Sequence, residues 1–256
     1  MNRALTGKLA LVTGVTRKAG IGAAIAREFA SAGASLFVSH FRSYDQNQPW
    51  GISKGEPEQI LADLRAGGAE AEALEIDLAD SNSARVLLDA VRNRFGRVDI
   101  LVNNAAHSEA GGIDQLDAAQ LDRHYAVNLR APALLCVEFA RQHERGRWAR
   151  IINVTSGQAL APMPGELAYA ATKGGLDALM LSLSASLAPL GITINAVDPG
   201  ATDTGWMTAE LKQSLEQDAP MNRVGLPGDL APLVRFLASE ESGWITGQVI
   251  RSRGGC

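Results

Sequence analysis

Apolar residues fall into two alternating periods along the chain. Residues 8–13 form a short apolar run, residues 21–32 carry apolar side chains at helical spacing, and residues 35–39 return to strand character. That is one βαβ unit. The pattern repeats as a helix over 57–66, a strand over 71–76, a helix over 84–95 and a strand over 98–102. Two long helices, 118–144 and 168–187, flank a strand over 150–154, and strands over 192–197 and 248–250 close the series. Such alternation predicts an α/β fold: a doubly wound parallel sheet covered on both faces, a three-layer α/β/α sandwich. Without a Pro-, Gly- and Ser-rich linker or a repeat of 20–50 residues, the chain reads as a single domain over 1–256. Two stretches stand outside the alternation. Residues 44–56, containing Gln48-Pro49-Trp50-Gly51, read as a polar surface loop. Residues 202–224 hold a short helix-like core and leave from the carboxyl end of a strand, where doubly wound sheets bind ligands, so they read as a substrate lid.

Composition narrows the functional classes. With 24 Lys plus Arg against 28 Asp plus Glu, the net charge of −4 argues against a nucleic-acid binder. A hydrophobic content of 46% with 20% charged residues suits a large buried core. The sequence has no apolar run of membrane-spanning length, and residues 1–11 lack the apolar stretch of a signal peptide, so a cytoplasmic protein is expected. Cys136 and Cys256 show no metal or disulfide spacing, and Cys136 within Ala-Leu-Leu-Cys-Val reads as a core thiol. His40, His107, His124 and His143 are likewise scattered, so no metal is signalled; His107 is the one placed to line a substrate pocket. Arg141, Arg145, Arg147 and Arg150 complement a helix C-terminus, with a docking patch for an acidic carrier protein as the alternative.

The residues that carry chemistry lie at strand ends. Thr13-Gly14-Val15-Thr16-Arg17-Lys18-Ala19-Gly20-Ile21-Gly22 joins the first strand to the first helix, where glycines let backbone N–H groups and the helix N-terminus approach a diphosphate. A strand-to-helix turn also needs Gly for conformational reasons alone. Further on come Asp77-Leu78, Asn103-Asn104-Ala105-Ala106, Asn128 within a helix, Ser156 after a strand, Tyr169-Ala-Ala-Thr-Lys173, and Pro199-Gly200. Tyr169 and Lys173, at i and i+4, share one helix face. A phenol titrates at about 10 and moves protons near neutrality only when a neighbouring cation favours its ionised form, which Lys173 can supply. A single Tyr-x-x-x-Lys pair is ordinarily a surface feature; here Ser156 stands thirteen residues before Tyr169.

In order and placement these motifs resemble the short-chain dehydrogenase/reductase family across nearly the whole chain, most of all its 3-oxoacyl-[acyl-carrier-protein] reductase-like members. The resemblance implies a Rossmann-type fold and hydride transfer between a nicotinamide cofactor and a ketone or secondary alcohol. It implies that Tyr169 exchanges the proton, Ser156 donates a hydrogen bond to the substrate oxygen, Asn128 holds a proton-relaying water, and Lys173 also binds the nicotinamide ribose. Cofactor contacts are then expected from Gly14, Thr16, Arg17, Lys18, Gly20, Ile21, Gly22, His40, Phe41, Arg42, Asp77, Leu78, Asn104, Ala105, Tyr169, Lys173, Pro199, Gly200 and Thr202. Arg42, twenty residues after Gly22, replaces the acid that marks an NAD site, so NADP(H) is favoured, with NAD(H) the alternative through Asp45. An acyl carrier protein as partner and a homo-oligomer, tetramer or dimer, also follow, with the long helices pairing and residues 131–137 shared between subunits.

The chain departs from the family in three places. The glycine loop is two residues longer than usual, a feature similar to the divergent enoyl reductases, but the Lys seven residues after Tyr in those enzymes is Leu176 here. Ala106 stands where Gly is common, and Arg253-Gly254-Gly255 where Asp-Gly-Gly is common. Two other readings stay open: a catalytically silent NADP-binding regulator, and a structural subunit of a larger enzyme.

Overall fold

The computed structural model describes residues 3–255; Met1, Asn2 and Cys256 lie outside them, and with them the start of the 1–11 stretch and the second cysteine. The strands are β1 Leu9–Val12, β2 Ser35–His40, β3 Ala71–Glu75, β4 Ile100–Asn103, β5 Ala149–Val154, β6 Ile192–Asp198 and β7 Val249–Arg251. They form one seven-stranded sheet in the order β3-β2-β1-β4-β5-β6-β7. Every pairing is parallel, with Leu11 opposite Phe37 on one side and Leu101 on the other. The order reverses between β1 and β4, which opens a crevice at the carboxyl ends of those strands.

Nine α-helices cover the sheet among the described residues: α1 Ile21–Ser31, α2 Arg42–Gln46, α3 Glu56–Ala66, α4 Ser83–Phe95, α5 Ala118–Tyr125, α6 Ala131–Gln142, α7 Leu167–Leu187, α8 Ala209–Asp218 and α9 Pro227–Leu237. Alternate strand residues feed opposite cores. Ala10 and Val12 pack with Phe29 of α1 and Val234 of α9, while Leu9 and Leu11 pack with Leu87 of α4, Phe139 of α6 and Met180 of α7. Apolar area leaving water on both faces explains why β5 and β6 are buried throughout. The doubly wound three-layer sandwich expected from periodicity is the fold observed.

Two expectations need correction, and one helix was not expected. The helix expected over 118–144 is broken: residues 126–130 form a π-helical turn between α5 and α6, and α6 ends at Gln142, where His143 turns to extended backbone. A π turn inserts a residue into the i→i−4 ladder and re-aims what it carries, here the buried Asn128. The 44–56 stretch is a surface loop over residues 47–55, but it opens inside α2, buries Asp45 and ends at the start of α3. Helix α9 was not read from the sequence at all, although Pro227 at its first turn and the buried Leu230, Val234 and Leu237 carry the helical period.

The basic cluster does not form one surface patch. Arg150, on β5, is 3% exposed, donates to the Ser239 carbonyl, and lies over the Trp148 ring; burial lowers its pKa to about 10. Arg147 pairs with Glu144 and Asp99 and Arg141 with Glu138. Cys136 is buried as expected, and burial pushes its thiol up to about 12.

Candidate active site

The crevice at the β1–β4 switch is a cleft of about 590 Å³. Its floor is the glycine loop. Thr13 Oγ1 accepts from the backbone N–H of Asn104 and Ala105 at 3.0 and 3.1 Å, and Asn104 Nδ2 donates to the carbonyls of Thr13 and Gly14. These bonds press the two strand ends together until side chains no longer fit. A Cβ on Gly14, whose φ is +74°, would lie 2.7 Å from Ala105 Cα, and one on Gly22 would lie 2.6 Å from Asn104 Nδ2. The N-terminus of α1 has no side-chain cap and no acid in its first turn. Its free N–H groups and the glycine floor fit a diphosphate, a match between this chain and a dinucleotide that rests on its own backbone.

Gly14, Thr16, Arg17, Gly20, Ile21, His40, Phe41, Asp77, Leu78, Asn104, Ala105 and Tyr169 all line the cleft, as does His107. Lys18, Gly22, Arg42, Lys173, Pro199, Gly200 and Thr202 stand outside its lining, as do Asn128 and Ser156. Lys18 pairs with Asp63 at 3.2 Å, and the Arg42 guanidinium is held by Glu58 and Glu75. Thr202 Oγ1 donates to the Pro199 carbonyl and Thr202 bridges to Gly225, so this residue pins the two ends of the 202–224 segment together.

At the far end, residues 155–166 lead from β5 into α7, and Lys173 in that helix reaches back to Val154, the last residue of β5, two positions before Ser156. Ser156 lies close enough to Tyr169 to favour its ionised form against burial. Lys173, 3% exposed, lies 5.5 Å from the Tyr169 ring centroid and donates from Nζ to the Val154 carbonyl at 2.7 Å. Burial lowers Lys173 to about 8, opposed by the Asp177 carboxylate one turn along α7. For Tyr169, burial outweighs everything else and raises the phenol above its usual range, Glu166 adding to the rise and the nearby Ser156 opposing it. The phenol is therefore protonated at neutral pH and placed to donate, whereas the sequence suggests a phenol drawn downward by Lys173.

Asn128 projects from the π turn. Its Oδ1 accepts from the His107 N–H at 2.7 Å, and its Nδ2 donates to the His107 carbonyl and to Thr172 Oγ1. It thus ties the loop after β4 to the Tyr169 helix. Burial lowers the His107 pKa, Glu109 opposing it, so the imidazole facing the cleft is neutral at pH 7.

Sequence reasoning missed the wall opposite. Tyr44 Oη accepts from the Ser108 N–H at 3.0 Å, and its ring is 5.4 Å from His107. Arg17 reaches Asp45 at 2.9 Å, the Thr204 carbonyl at 2.8 Å and the face of Trp50, so the glycine loop, the 42–50 segment and the lid meet at one guanidinium. Asp177 was missed too, although its position four residues after Lys173 follows the spacing that pairs Tyr169 with Lys173; it accepts from Gln158 at 2.5 Å.

Comparison with known proteins agrees with this geometry. Residues 14–256 match the family model described as "Enoyl-(Acyl carrier protein) reductase". The chain is 47% identical to "Uncharacterized oxidoreductase YjdA" of Bacillus subtilis (strain 168), over 97% of this chain and 96% of that one. It is 34% identical to the 3-oxoacyl-[acyl-carrier-protein] reductase FabG of Aquifex aeolicus (strain VF5), over 98% of each. Among solved structures it is similar to the reductase LugOII, which catalyses keto-reduction at C1 in lugdunomycin biosynthesis, with a TM-score of 0.86 and 37% identity over 98% of each chain. It is also similar to the angucycline C-6 ketoreductase LanV with bound NADP, with a TM-score of 0.87 and 33% identity over 98% of this chain and 96% of that one. With the glycine floor, the Ser156–Tyr169–Lys173 grouping and relatives matched from end to end, the chain belongs to the short-chain dehydrogenase/reductase family and is an NAD(P)-dependent oxidoreductase.

Proposed function

We propose that the protein is an NADPH-dependent carbonyl reductase acting reversibly on a ketone and its secondary alcohol, 3-oxoacyl thioesters included. The observation that carries this reading is Tyr169 lining a cleft floored by glycines, with the Lys173 ammonium 5.5 Å from its ring centroid and Ser156 beside it. Gly14, Gly20, Gly22 and the first turn of α1 hold the diphosphate, Asp77 and Leu78 flank the adenine end, and Lys173 holds the nicotinamide ribose. A bound reduced nicotinamide supplies the hydride. Ser156 donates a hydrogen bond to the ketone oxygen, and Tyr169 delivers the proton to that oxygen as it becomes an alcohol. Lys173, a cation below about 8, stabilises the phenolate left on Tyr169. Asn128 holds the His107 loop against α7 and so fixes the pocket's width. The 202–224 segment, hinged at Thr202 and Gly225, covers the substrate.

NADP(H) is favoured over NAD(H) by Arg17 in the cleft wall, by Arg42 at the end of β2 and by the NADP held in LanV. The name of the FabG relatives supports an acyl carrier protein as partner. No helix among the described residues is long and apolar enough to cross a membrane, in keeping with a cytoplasmic site of action. The test is to follow NADPH oxidation with a panel of β-keto esters and cyclic ketones. Turnover that Tyr169→Phe abolishes supports the reading over a silent cofactor-binding protein, and its absence with every ketone refutes it.

A further inference from the structure

The three cations offered to a 2′-phosphate are all matched by carboxylates: Arg17 by Asp45, Lys18 by Asp63, and Arg42 by two at once. Arg42 opens α2, Glu75 ends β3 and Glu58 lies in the first turn of α3, so three elements converge on one guanidinium. The Arg42 backbone N–H also donates to Glu75 at 3.2 Å. One guanidinium between two carboxylates carries net negative charge, which repels a phosphate dianion. His40 beside it does not offset this, because burial, and then Arg42, hold its imidazole neutral. Its Nδ1 is buried without a partner among the described residues, while its ring lines the cleft.

We propose that Glu58 and Glu75 are specificity-determining residues for the cofactor: they compete with the 2′-phosphate for Arg42 and so lower the preference for NADPH over NADH. The inference rests on the NADPH reading above, with Arg42 as the phosphate's partner. Exchange is feasible because Arg42, Glu58 and Glu75 are 30%, 59% and 39% exposed, and ion pairs in solvent hold weakly. A free ribose 2′-hydroxyl asks nothing of Arg42, so NADH is indifferent to the competition.

The experiment measures dissociation constants by titration calorimetry for adenosine 2′,5′-bisphosphate and for 5′-AMP, and for NADPH and NADH. The proteins are wild type, Glu58→Gln, Glu75→Gln, the double variant and Arg42→Ala, each checked for native circular dichroism. The double variant is expected to bind the 2′-phosphorylated ligands roughly tenfold tighter, with 5′-AMP and NADH within about twofold of wild type. Each single variant should show part of that gain. Equal shifts for both ligand classes, or none, overturn the proposal. If Arg42→Ala selectively weakens the 2′-phosphorylated ligands while the Gln variants gain nothing, only the competition fails. If Arg42→Ala shows no selective loss, the phosphate reading of Arg42 fails and takes the proposal with it.

Discussion

Tyr169 and Lys173 sit one helical turn apart, but burial moves their pKa values in opposite directions, and this sets the pH dependence expected of ketone reduction. The phenol is raised and keeps its proton, while the ammonium is lowered to about 8 and loses its proton above that pH. Ketone reduction needs the Tyr169 proton and the Lys173 cation together, so reductive turnover should fall as pH rises through about 8; a flat profile from 7 to 10 would contradict this. The Asp177 carboxylate is what raises Lys173 against burial, so Asp177→Asn should move the falling limb to lower pH. Rates measured across pH for both proteins check the sign. These residues were legible in the sequence because i and i+4 spacing fixes a shared helix face wherever the helix lies. Arg42 was legible as a cation but not as a clamped one, since its partners Glu58 and Glu75 are 16 and 33 residues away and meet it only when α3 and β3 are in place.

At the scale of elements, the strands and the large helices follow from periodicity, and what periodicity hides is local. The π turn at residues 126–130 continues a helical pattern, so nothing in the apolar spacing marks the bulge that turns Asn128 inward. Replacing the fully buried Asn128 with Ala leaves the part-buried His107 N–H and carbonyl without their partner. The expected cost is about 2 kcal/mol, or roughly 4–8 °C in melting temperature by calorimetry for a chain of this size. The glycine floor makes a sharper prediction. Gly14→Ala must place a Cβ against Ala105 backbone at positive φ, so NADPH binding should be lost by calorimetry; retained affinity would show that the loop can re-form around a side chain. Within the polar 42–50 segment the exception to a surface reading is Asp45, buried because Trp50 Nε1 and Arg17 both reach it, partners that polarity alone does not reveal.

For the whole molecule, the sheet ends on β7, a short and partly exposed edge strand, with Trp244 99% exposed nearby and Leu181 62% exposed on α7. Apolar groups left open at a sheet edge favour association with another copy, so light scattering at micromolar concentration should give a multiple of 27.0 kDa, and a monomer mass would contradict it. Of residues 131–137, expected to be shared between subunits, Leu135 and Cys136 are buried in the chain's own core and Leu134 is exposed. The central claim, that Tyr169 delivers a proton to a ketone reduced at the expense of NADPH, is tested most directly by single-turnover mixing of the NADPH complex with an excess of ketone, wild type against Tyr169→Phe. The account predicts that wild type converts its bound NADPH while producing one equivalent of secondary alcohol, and that Tyr169→Phe binds NADPH equally well but converts it at least a hundredfold more slowly, at the order expected for loss of a general acid. Equal rates in the two proteins would contradict it.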